Sequence, residues 1–160
     1  LKSLQIDFSS LFVGPFKLLA PPYGSVYLEG KREVMGESTI DARNRYREAG
    51  LELSDEIKEA PDHIAFELEF IYFLIFKELQ AIEQSNTALA GEHLERQKMF
   101  LARHLGAWVG KFTDAVQQNA ETDFYRNLAV ATNLFVQQDL VDISHLSTAQ
   151  VANVLQQQRM

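Results

Sequence analysis

The sequence of 160 residues contains no cysteine. The chain therefore has no disulfide framework, no thiolate ligand for a metal ion and no cysteine nucleophile. The absence of cysteine also agrees with a reducing compartment. With 46% hydrophobic residues, the chain has enough apolar side chains to build the core of one domain without covalent cross-links.

Long apolar runs are missing as well. The longest has seven residues, from Phe70 to Phe76, whereas a helix that spans a bilayer needs about 20 apolar residues. Charged residues flank this run on both sides, and the chain does not open on a signal-peptide pattern. The sequence therefore predicts no insertion into a membrane.

Positive charge is scarce, because 15 Lys and Arg residues stand against 22 Asp and Glu residues, for a net charge of −7. The basic run Arg43, Arg45 and Arg47 is interleaved with Asp41 and Glu48, which is typical of a solvated helix face. Since nucleic-acid binders carry a basic face, we expect no nucleic-acid partner. An acidic surface more readily attracts a basic partner.

Motifs for catalysis and for metal or phosphate binding are also absent. The four histidines form no His-Glu-x-x-His and no paired Glu-x-x-His pattern. Ser25 lies in "YGSVY", which is not a Gly-x-Ser-x-Gly elbow, and no glycine-rich phosphate loop occurs. His104 shares an apolar helix face with Trp108 and is interpreted as a core histidine. We expect a protein that is not an enzyme and that holds no cofactor and no metal ion.

A helical period runs through the whole chain. It predicts helices over 2–13, 38–49, about 61–85, 92–119 with a break near 105 or 106, 123–138, and 147 or 148 to about 157. Ser38 and Thr122 are predicted N-caps, with Asp41 in a capping-box-like position, and Gly91 is predicted to separate two helices. These elements predict an all-α, single-domain bundle over residues 1–160.

The helix predicted over about 61–85 is apolar on most of its sides. Ile64, Leu68 and Ile71 belong to one stripe, and Phe66 and Phe70 belong to a second. Because such a helix is normally enclosed by several neighbours, we expect it to be the central buried helix of the bundle. Its proline, at position 61, suits a first helical turn.

The connection over residues 14–36 is the least regular part of the chain, with three of the four prolines and four of the eight glycines. Its aromatic residues Phe16, Tyr23 and Tyr27 lie close to Pro22 in the sequence. Two interpretations stay open. The aromatic residues plug one end of the bundle, or they form a groove for an apolar segment of a partner.

Asp62 and His63 precede the predicted central helix. Adjacent residues on a helix do not face each other, so they are a poor catalytic dyad. Either they serve the start of the helix, where an acid is favoured, or they contact a partner. The helix dipole disfavours a histidinium at that end, so His63 is expected to be neutral, and Glu67 is four residues away and able to pair with it.

Three segments together resemble the TorD/DmsD family of redox-enzyme maturation chaperones. They are "DFSSLFVGPFKLLAPPYGSVYLEG" at 7–30, "EAPDHIAFELEF" at 59–70 and "RHLGAWVGKF" at 103–112, in the family's order and spacing. "FYRNLA" at 124–129 is a weaker fourth match. The family's usual Glu-Pro-x-Asp-His appears here as Glu59-Ala60-Pro61-Asp62-His63, with the proline one place later.

The resemblance implies an all-α cytoplasmic chaperone for an anaerobic molybdoenzyme. Such a protein binds the twin-arginine leader or the body of the apo-enzyme catalytic subunit, and it delays export until the cofactor is inserted. An alternative hypothesis is that the chain is an assembly or scaffold protein that binds a redox-enzyme subunit without recognising a leader.

Carried over by position, the resemblance implies a leader-binding surface, and an arginine of the leader would pair with Asp62 or Glu59. The residues of this predicted surface are Phe8, Leu11, Phe16, Pro22, Tyr23, Gly24, Ser25, Tyr27, Glu59, Asp62 and His63.

Family members normally carry further helices before the "LFVGP" segment, whereas this chain starts within that helix. We therefore expect an N-terminal truncation, through which some leader contacts are absent. The helices that remain would expose an apolar face, and we expect a homodimer, formed by exchange of helices.

Overall fold

The computed structural model describes residues 2–14, 18–30, 35–54 and 56–146. Within these ranges the chain forms seven α-helices and no strand, which confirms the all-α fold. Phe16 and the last predicted helix lie outside the described residues. Among the helices that are described, none combines the length and apolar character that a membrane span requires. The helices are α1 (Lys2–Phe8), α2 (Gly24–Leu28), α3 (Glu37–Glu48), α4 (Ile64–Glu83), α5 (Thr87–Arg103), α6 (Leu105–Asn119) and α7 (Asp123–His145).

Helices α4 and α5 form a hairpin through a turn of three residues. Asn86 caps α5, since its side-chain oxygen accepts a hydrogen bond of 3.1 Å from the backbone N–H of Leu89. The prediction that Gly91 separates two helices is wrong, because this glycine lies buried inside α5. A helix tolerates an internal glycine at a cost of about 1 kcal/mol, which a good cap offsets.

The predicted break near Gly106 is confirmed, and it falls at His104, which adopts φ −118° and ψ −107° between α5 and α6. A side chain at Gly106 would bring a Cβ to within 2.5 Å of the carbonyl oxygen of Leu101. Only glycine fits this close approach. His104 itself is buried, as expected, and its Nε2 lies 2.8 Å from Asp41 Oδ2.

Two clusters of buried apolar side chains hold the helices together. The first joins α3, α4, α5, α6 and α7 around Tyr46, Phe70 and Phe100. The second joins α6 and α7 to the π-helical turn Ser9–Val13 that follows α1, and Trp108 is fully buried in it. Each cluster underlies a different part of the surface.

Helix α4 buries Phe70, Ile71 and Leu74 but leaves its outer face in solvent. On that face the exposed fractions are 69% for Tyr72, 45% for Phe76 and 54% for Leu79. The apolar pattern predicted burial on most sides, and the outer side has no neighbouring helix among the described residues. Exposed apolar faces of this kind mark interaction surfaces more often than isolated apolar residues do.

Several helix ends differ from the sequence prediction. Ser38 does not cap α3, which begins one residue earlier, at Glu37. Instead, its backbone N–H and hydroxyl both donate to Glu29 Oε1, at 2.9 and 2.7 Å. Thr122 occupies the N-cap position of α7 as predicted, but its hydroxyl makes no capping bond. Helix α7 runs to His145 rather than to 138.

The side chain of Asp7 ties α1 to the start of α7. It is 1% exposed and accepts hydrogen bonds from the backbone N–H groups of Glu121, at 3.1 Å, and Thr122, at 2.9 Å. The Thr122 hydroxyl donates to it as well. Asp7 therefore takes the capping role that the sequence assigned to Thr122, across 115 residues of chain.

Candidate functional site

Residues 22–25 and 62–64 pair in a short clasp that joins the long connection to the start of α4. The Gly24 N–H donates to the carbonyl oxygen of Asp62, and the Ile64 N–H donates to that of Pro22, both at 2.9 Å. Tyr23 and His63 form an isolated antiparallel bridge. Their rings meet edge to face, with centroids 5.3 Å apart. The clasp thus brings together two of the motifs that the sequence singled out.

Asp62 lies behind the clasp rather than on the surface, with 1% of its area exposed. Its Oδ2 accepts a hydrogen bond of 2.7 Å from the N–H of Ser25, in the first turn of α2. The expectation that Asp62 caps its own helix is therefore wrong. It supports the start of α2 because the clasp turns its side chain toward that helix.

His63 is the residue that caps α4, and Pro61 precedes the helix rather than lying in its first turn. The Nδ1 atom of His63 accepts a hydrogen bond of 3.1 Å from the N–H of Ala65. Burial lowers the pKa of His63, although the nearby carboxylates of Glu59 and Asp62 act in the opposite direction. The ring is neutral at pH 7, as expected, with its proton on Nε2.

Glu67 does not pair with His63, because it points into the second core cluster and is fully buried. Its Oε2 accepts a hydrogen bond of 2.8 Å from the indole Nε1 of Trp108. Burial raises the pKa of Glu67 well above its ordinary value, against the effect of the indole bond. Tyr27 of α2 stacks on Trp108 with ring centroids 5.6 Å apart, so α2 packs directly on the indole. We call the indole the floor beneath α2.

An apolar groove of about 430 Å³ opens beside the clasp. We call it the first groove. Glu59 is the charged residue in its lining, and the hydroxyl of Tyr23 donates a hydrogen bond of 2.6 Å to Glu59 Oε2. Burial and the neighbouring carboxylates raise the pKa of Tyr23 to about 12, so this donor stays protonated. The groove is lined by Phe8, Phe12, Val13, Pro22, Tyr23, Glu59, His63, Ile64, Leu68, Phe112, Val116, Tyr125, Leu128, Ala129 and Thr132.

The structure divides the predicted surface residues into two groups. Five of them line the first groove, namely Phe8, Pro22, Tyr23, Glu59 and His63. The others that are described lie behind it or beside it: Leu11, Gly24, Ser25 and Asp62 are buried, and Tyr27 packs on Trp108.

Sequence reasoning missed the far wall of the groove, which α6 and α7 supply. Phe112 lies in the third matching segment and Tyr125 and Leu128 in the fourth, so the signal was present, but none of the three was assigned to the predicted surface. Phe8, Phe12 and Tyr125 join this wall to α1 through ring contacts with centroids 5.4 to 6.4 Å apart.

Asp62→Ala should lower the free energy of unfolding by about 1–2 kcal/mol, because it leaves the buried N–H of Ser25 without an acceptor. Urea titration followed by far-UV circular dichroism measures the change. Asp62→Asn, which keeps an acceptor oxygen, should recover part of the loss, and Asp114→Ala, at an exposed position of α6, should be neutral. An alanine variant as stable as the wild type would contradict the capping role of Asp62.

Comparison with known sequences gives a decisive match. Residues 1–114 match the family described as "Nitrate reductase delta subunit". The chain belongs to the nitrate reductase delta subunit family. The matched range includes the clasp, Glu59 and the Glu67–Trp108 pair, whereas the groove wall that α7 supplies lies outside it.

Curated relatives confirm the resemblance to TorD and DmsD. The Tat proofreading chaperone DmsD of Salmonella paratyphi A is 31% identical over 137 residues, which are 86% of this chain and 60% of that protein. The chaperone protein TorD of Vibrio parahaemolyticus is 28% identical over 131 residues, 79% of this chain and 57% of that protein. The chain thus spans about 60% of the length of these relatives.

A solved structure shares the fold. It is a protein from Archaeoglobus fulgidus that is described as a redox enzyme maturation protein, with a TM-score of 0.58 and 23% sequence identity. The similarity covers 85% of this chain and 67% of that one. It supports the all-α architecture of the seven described helices.

Proposed function

We propose that this chain is a cytoplasmic maturation chaperone, not an enzyme, and that its first groove binds the twin-arginine leader of an apo-molybdoenzyme. Binding would delay export of the catalytic subunit until the cofactor is inserted. One observation carries the proposal: an apolar groove with a single carboxylate, Glu59, whose position is fixed by the hydroxyl of Tyr23. A leader that has a basic pair followed by an apolar stretch has the matching chemistry.

Glu59, and not Asp62, is the carboxylate that suits an arginine of the leader. Asp62 is 1% exposed and already accepts the Ser25 N–H, whereas Glu59 is exposed at the rim. Tyr23 engages Oε2 of Glu59 and leaves its Oε1 for a guanidinium. A preorganised carboxylate loses less side-chain entropy when arginine binds it, and arginine–carboxylate hydrogen bonds are among the stronger ones in proteins.

Apolar residues of the leader would occupy the groove itself. Its walls are aromatic and aliphatic side chains from α1, α4, α6 and α7, a type of surface that receives amphipathic or extended peptides. The net charge of −7 favours the approach of a basic segment. The names of the relatives, Tat proofreading chaperone and chaperone protein TorD, support the same function.

Isothermal titration calorimetry with a synthetic peptide, two arginines followed by eight apolar residues, tests this proposal. Glu59→Lys should weaken binding about tenfold, because a charge-assisted pair is replaced by a like-charge contact. Glu56→Lys makes the same charge change at an exposed position of the same loop that does not line the groove, so it is the matched control.

Two results would contradict the proposal, the first by excluding leader binding and the second by excluding a specific role of Glu59. One is no detectable binding of the peptide to the wild type, which would favour the scaffold alternative without leader recognition. The other is equal weakening by Glu59→Lys and Glu56→Lys, which would reduce the contribution of Glu59 to general charge attraction.

Sedimentation of the same wild-type sample also tests the proposed homodimer, which a clean monomer at high concentration would contradict.

A further inference from the structure

A second apolar groove of about 360 Å³ lies on the other side of α4. It lies between the outer face of that helix and the residues 51–53 and 57 of the preceding connection. Six aromatic rings dominate its lining: Tyr46, Phe66, Phe70, Tyr72, Phe73 and Phe76. We call it the second groove. It rests on the first core cluster, whereas the first groove rests on the second cluster, so each has its own floor.

The two grooves are neighbours around the N-terminal half of α4. Ile64 and Leu68 line the first groove, and Phe66 and Glu69 line the second. At 100° per residue, Ala65 falls between these two faces of the helix. Its side chain is exposed and small, so the ridge that separates the grooves is low there. The preceding connection also borders both, with Ile57 in the second groove and Glu59 in the first.

The two grooves carry charge of the same sign. Every charged side chain in their linings is a carboxylate: Glu59 in the first, and Glu52 and Glu69 in the second. Arg47 Nε lies 3.7 Å from Glu52 Oε1 and partly neutralises it. Glu69 is exposed and makes no ion pair within the described ranges. Both grooves therefore suit apolar segments that have a basic residue beside them.

We propose that the second groove binds a further apolar segment, with an adjacent basic residue, of the same partner chain that occupies the first groove. This inference rests on the proposed function of the first groove. The ridge is one helix wide, about 10 Å. An extended chain advances about 3.3 Å per residue, so three or four residues connect the two segments.

The arrangement predicts a bipartite partner. An arginine at Glu59 lies next to the ridge, and a second basic residue reaches Glu69 on the other side. Because the two segments are covalently joined, the second binds as an intramolecular event at high effective concentration. The second groove therefore adds affinity for a long segment and none for a short one.

Calorimetry with matched synthetic peptides tests this inference. The short peptide is the ten-residue probe described above, two arginines followed by eight apolar residues. Two long peptides add a four-residue linker with one arginine and a block of six apolar residues, at one end or the other. We expect one long peptide to bind wild-type protein about tenfold more tightly than the short one.

Phe76→Glu should remove this gain and leave the affinity for the short peptide unchanged. Leu79→Glu is the matched control, since it introduces the same carboxylate on the same helix at a similarly exposed apolar residue that lines neither groove. Glu69→Lys should also weaken binding of the long peptide and leave binding of the short peptide unchanged. Glu83→Lys, at the exposed end of α4, is its control.

The outcomes separate the two proposals. If the short peptide binds and neither long peptide binds more tightly, the second groove is not part of the site, while the first groove stands. If Phe76→Glu and Leu79→Glu weaken binding of the long peptide equally, its higher affinity does not depend on the second groove and the inference is wrong. If no peptide binds the wild type, the proposed function fails, and this inference fails with it.

Discussion

Trp108→Ala should lower the free energy of unfolding by about 3–5 kcal/mol, the range for removal of a fully buried large aromatic side chain. Trp108 is 0% exposed and is the largest fully buried side chain among the described residues. The substitution also deprives Glu67 Oε2 of its donor and Tyr27 of its stacking partner. Chemical denaturation followed by circular dichroism measures the loss.

Two further variants separate stability from function in this experiment. Trp108→Phe keeps most of the apolar contact but not the indole N–H, so it should cost less stability and still loosen the floor under α2. Phe100→Ala removes a buried ring from the first core cluster instead, with a similar loss of stability. Binding of the short peptide should weaken for Trp108→Phe more than for Phe100→Ala.

The reverse order of the two binding effects would contradict the assignment of Trp108 to the floor of the site. Gly24 strengthens that assignment, because a Cβ there would lie 2.9 Å from the indole Nε1. Real Cβ atoms essentially never approach so closely. The indole and the backbone of α2 are therefore in direct contact, with no room for a side chain between them.

Asp7→Ala should lower the free energy of unfolding by about 2–3 kcal/mol, because two buried backbone N–H groups and one hydroxyl lose a charged acceptor. Burial raises the pKa of Asp7, but the bonds from Thr122 and Glu121 outweigh it and hold the pKa below the ordinary value of 3.8. Since the folded-state pKa is depressed, the stabilisation is present above pH about 4 and is lost as the pH falls through the folded-state pKa.

The wild type and Asp7→Ala should therefore differ most near neutral pH and converge in acid. Urea titrations at pH 7 and pH 3 measure this difference, and Asp7→Asn, which keeps one acceptor oxygen, should lie between them at pH 7. A difference that does not change with pH would show that the ionised carboxylate is not responsible. Because Phe8 follows Asp7 and lines the first groove, loosening of α1 should also weaken peptide binding.

The helices of this fold were largely predictable, because their apolar residues recur with a helical period and local physics governs that pattern. The break before Gly106 was predictable too, since glycine is the usual residue at a close backbone approach. The ends of the helices were less so. Thr122 reads as a cap in the local sequence, but the acceptor that serves the start of α7 is Asp7, and no local pattern contains that pairing.

The candidate site shows the same division between local and long-range information. The resemblance directed attention to the segments around Tyr23 and His63, which the structure pairs. It could not distinguish a surface carboxylate from a buried one, so Asp62 and Glu59 were equivalent in the sequence. Their different burial arises from the clasp, which turns Asp62 toward Ser25.

The α7 wall and the exposed rings of α4 escaped prediction for a related reason. A ring that lines a groove and a ring that fills a core follow the same helical spacing, and only the presence or absence of a neighbouring helix distinguishes them. Phe70 is 4% exposed and Phe76 is 45% exposed, although both belong to the same apolar run.

The bond between Asp7 and Thr122 has a consequence for the order of folding. Helices α4 to α7 follow one another in the chain and pack as sequence neighbours, so their association requires only short loops to close. Residues 2–14 and 18–30, in contrast, attach through partners that are synthesised much later, at 62–64 and at 121–122. Residues 22–25 of the clasp and α1 are therefore synthesised before α4 to α7 but dock after those helices have formed. The first groove has walls from α1 and from α7, so it is completed only after α7 has been synthesised.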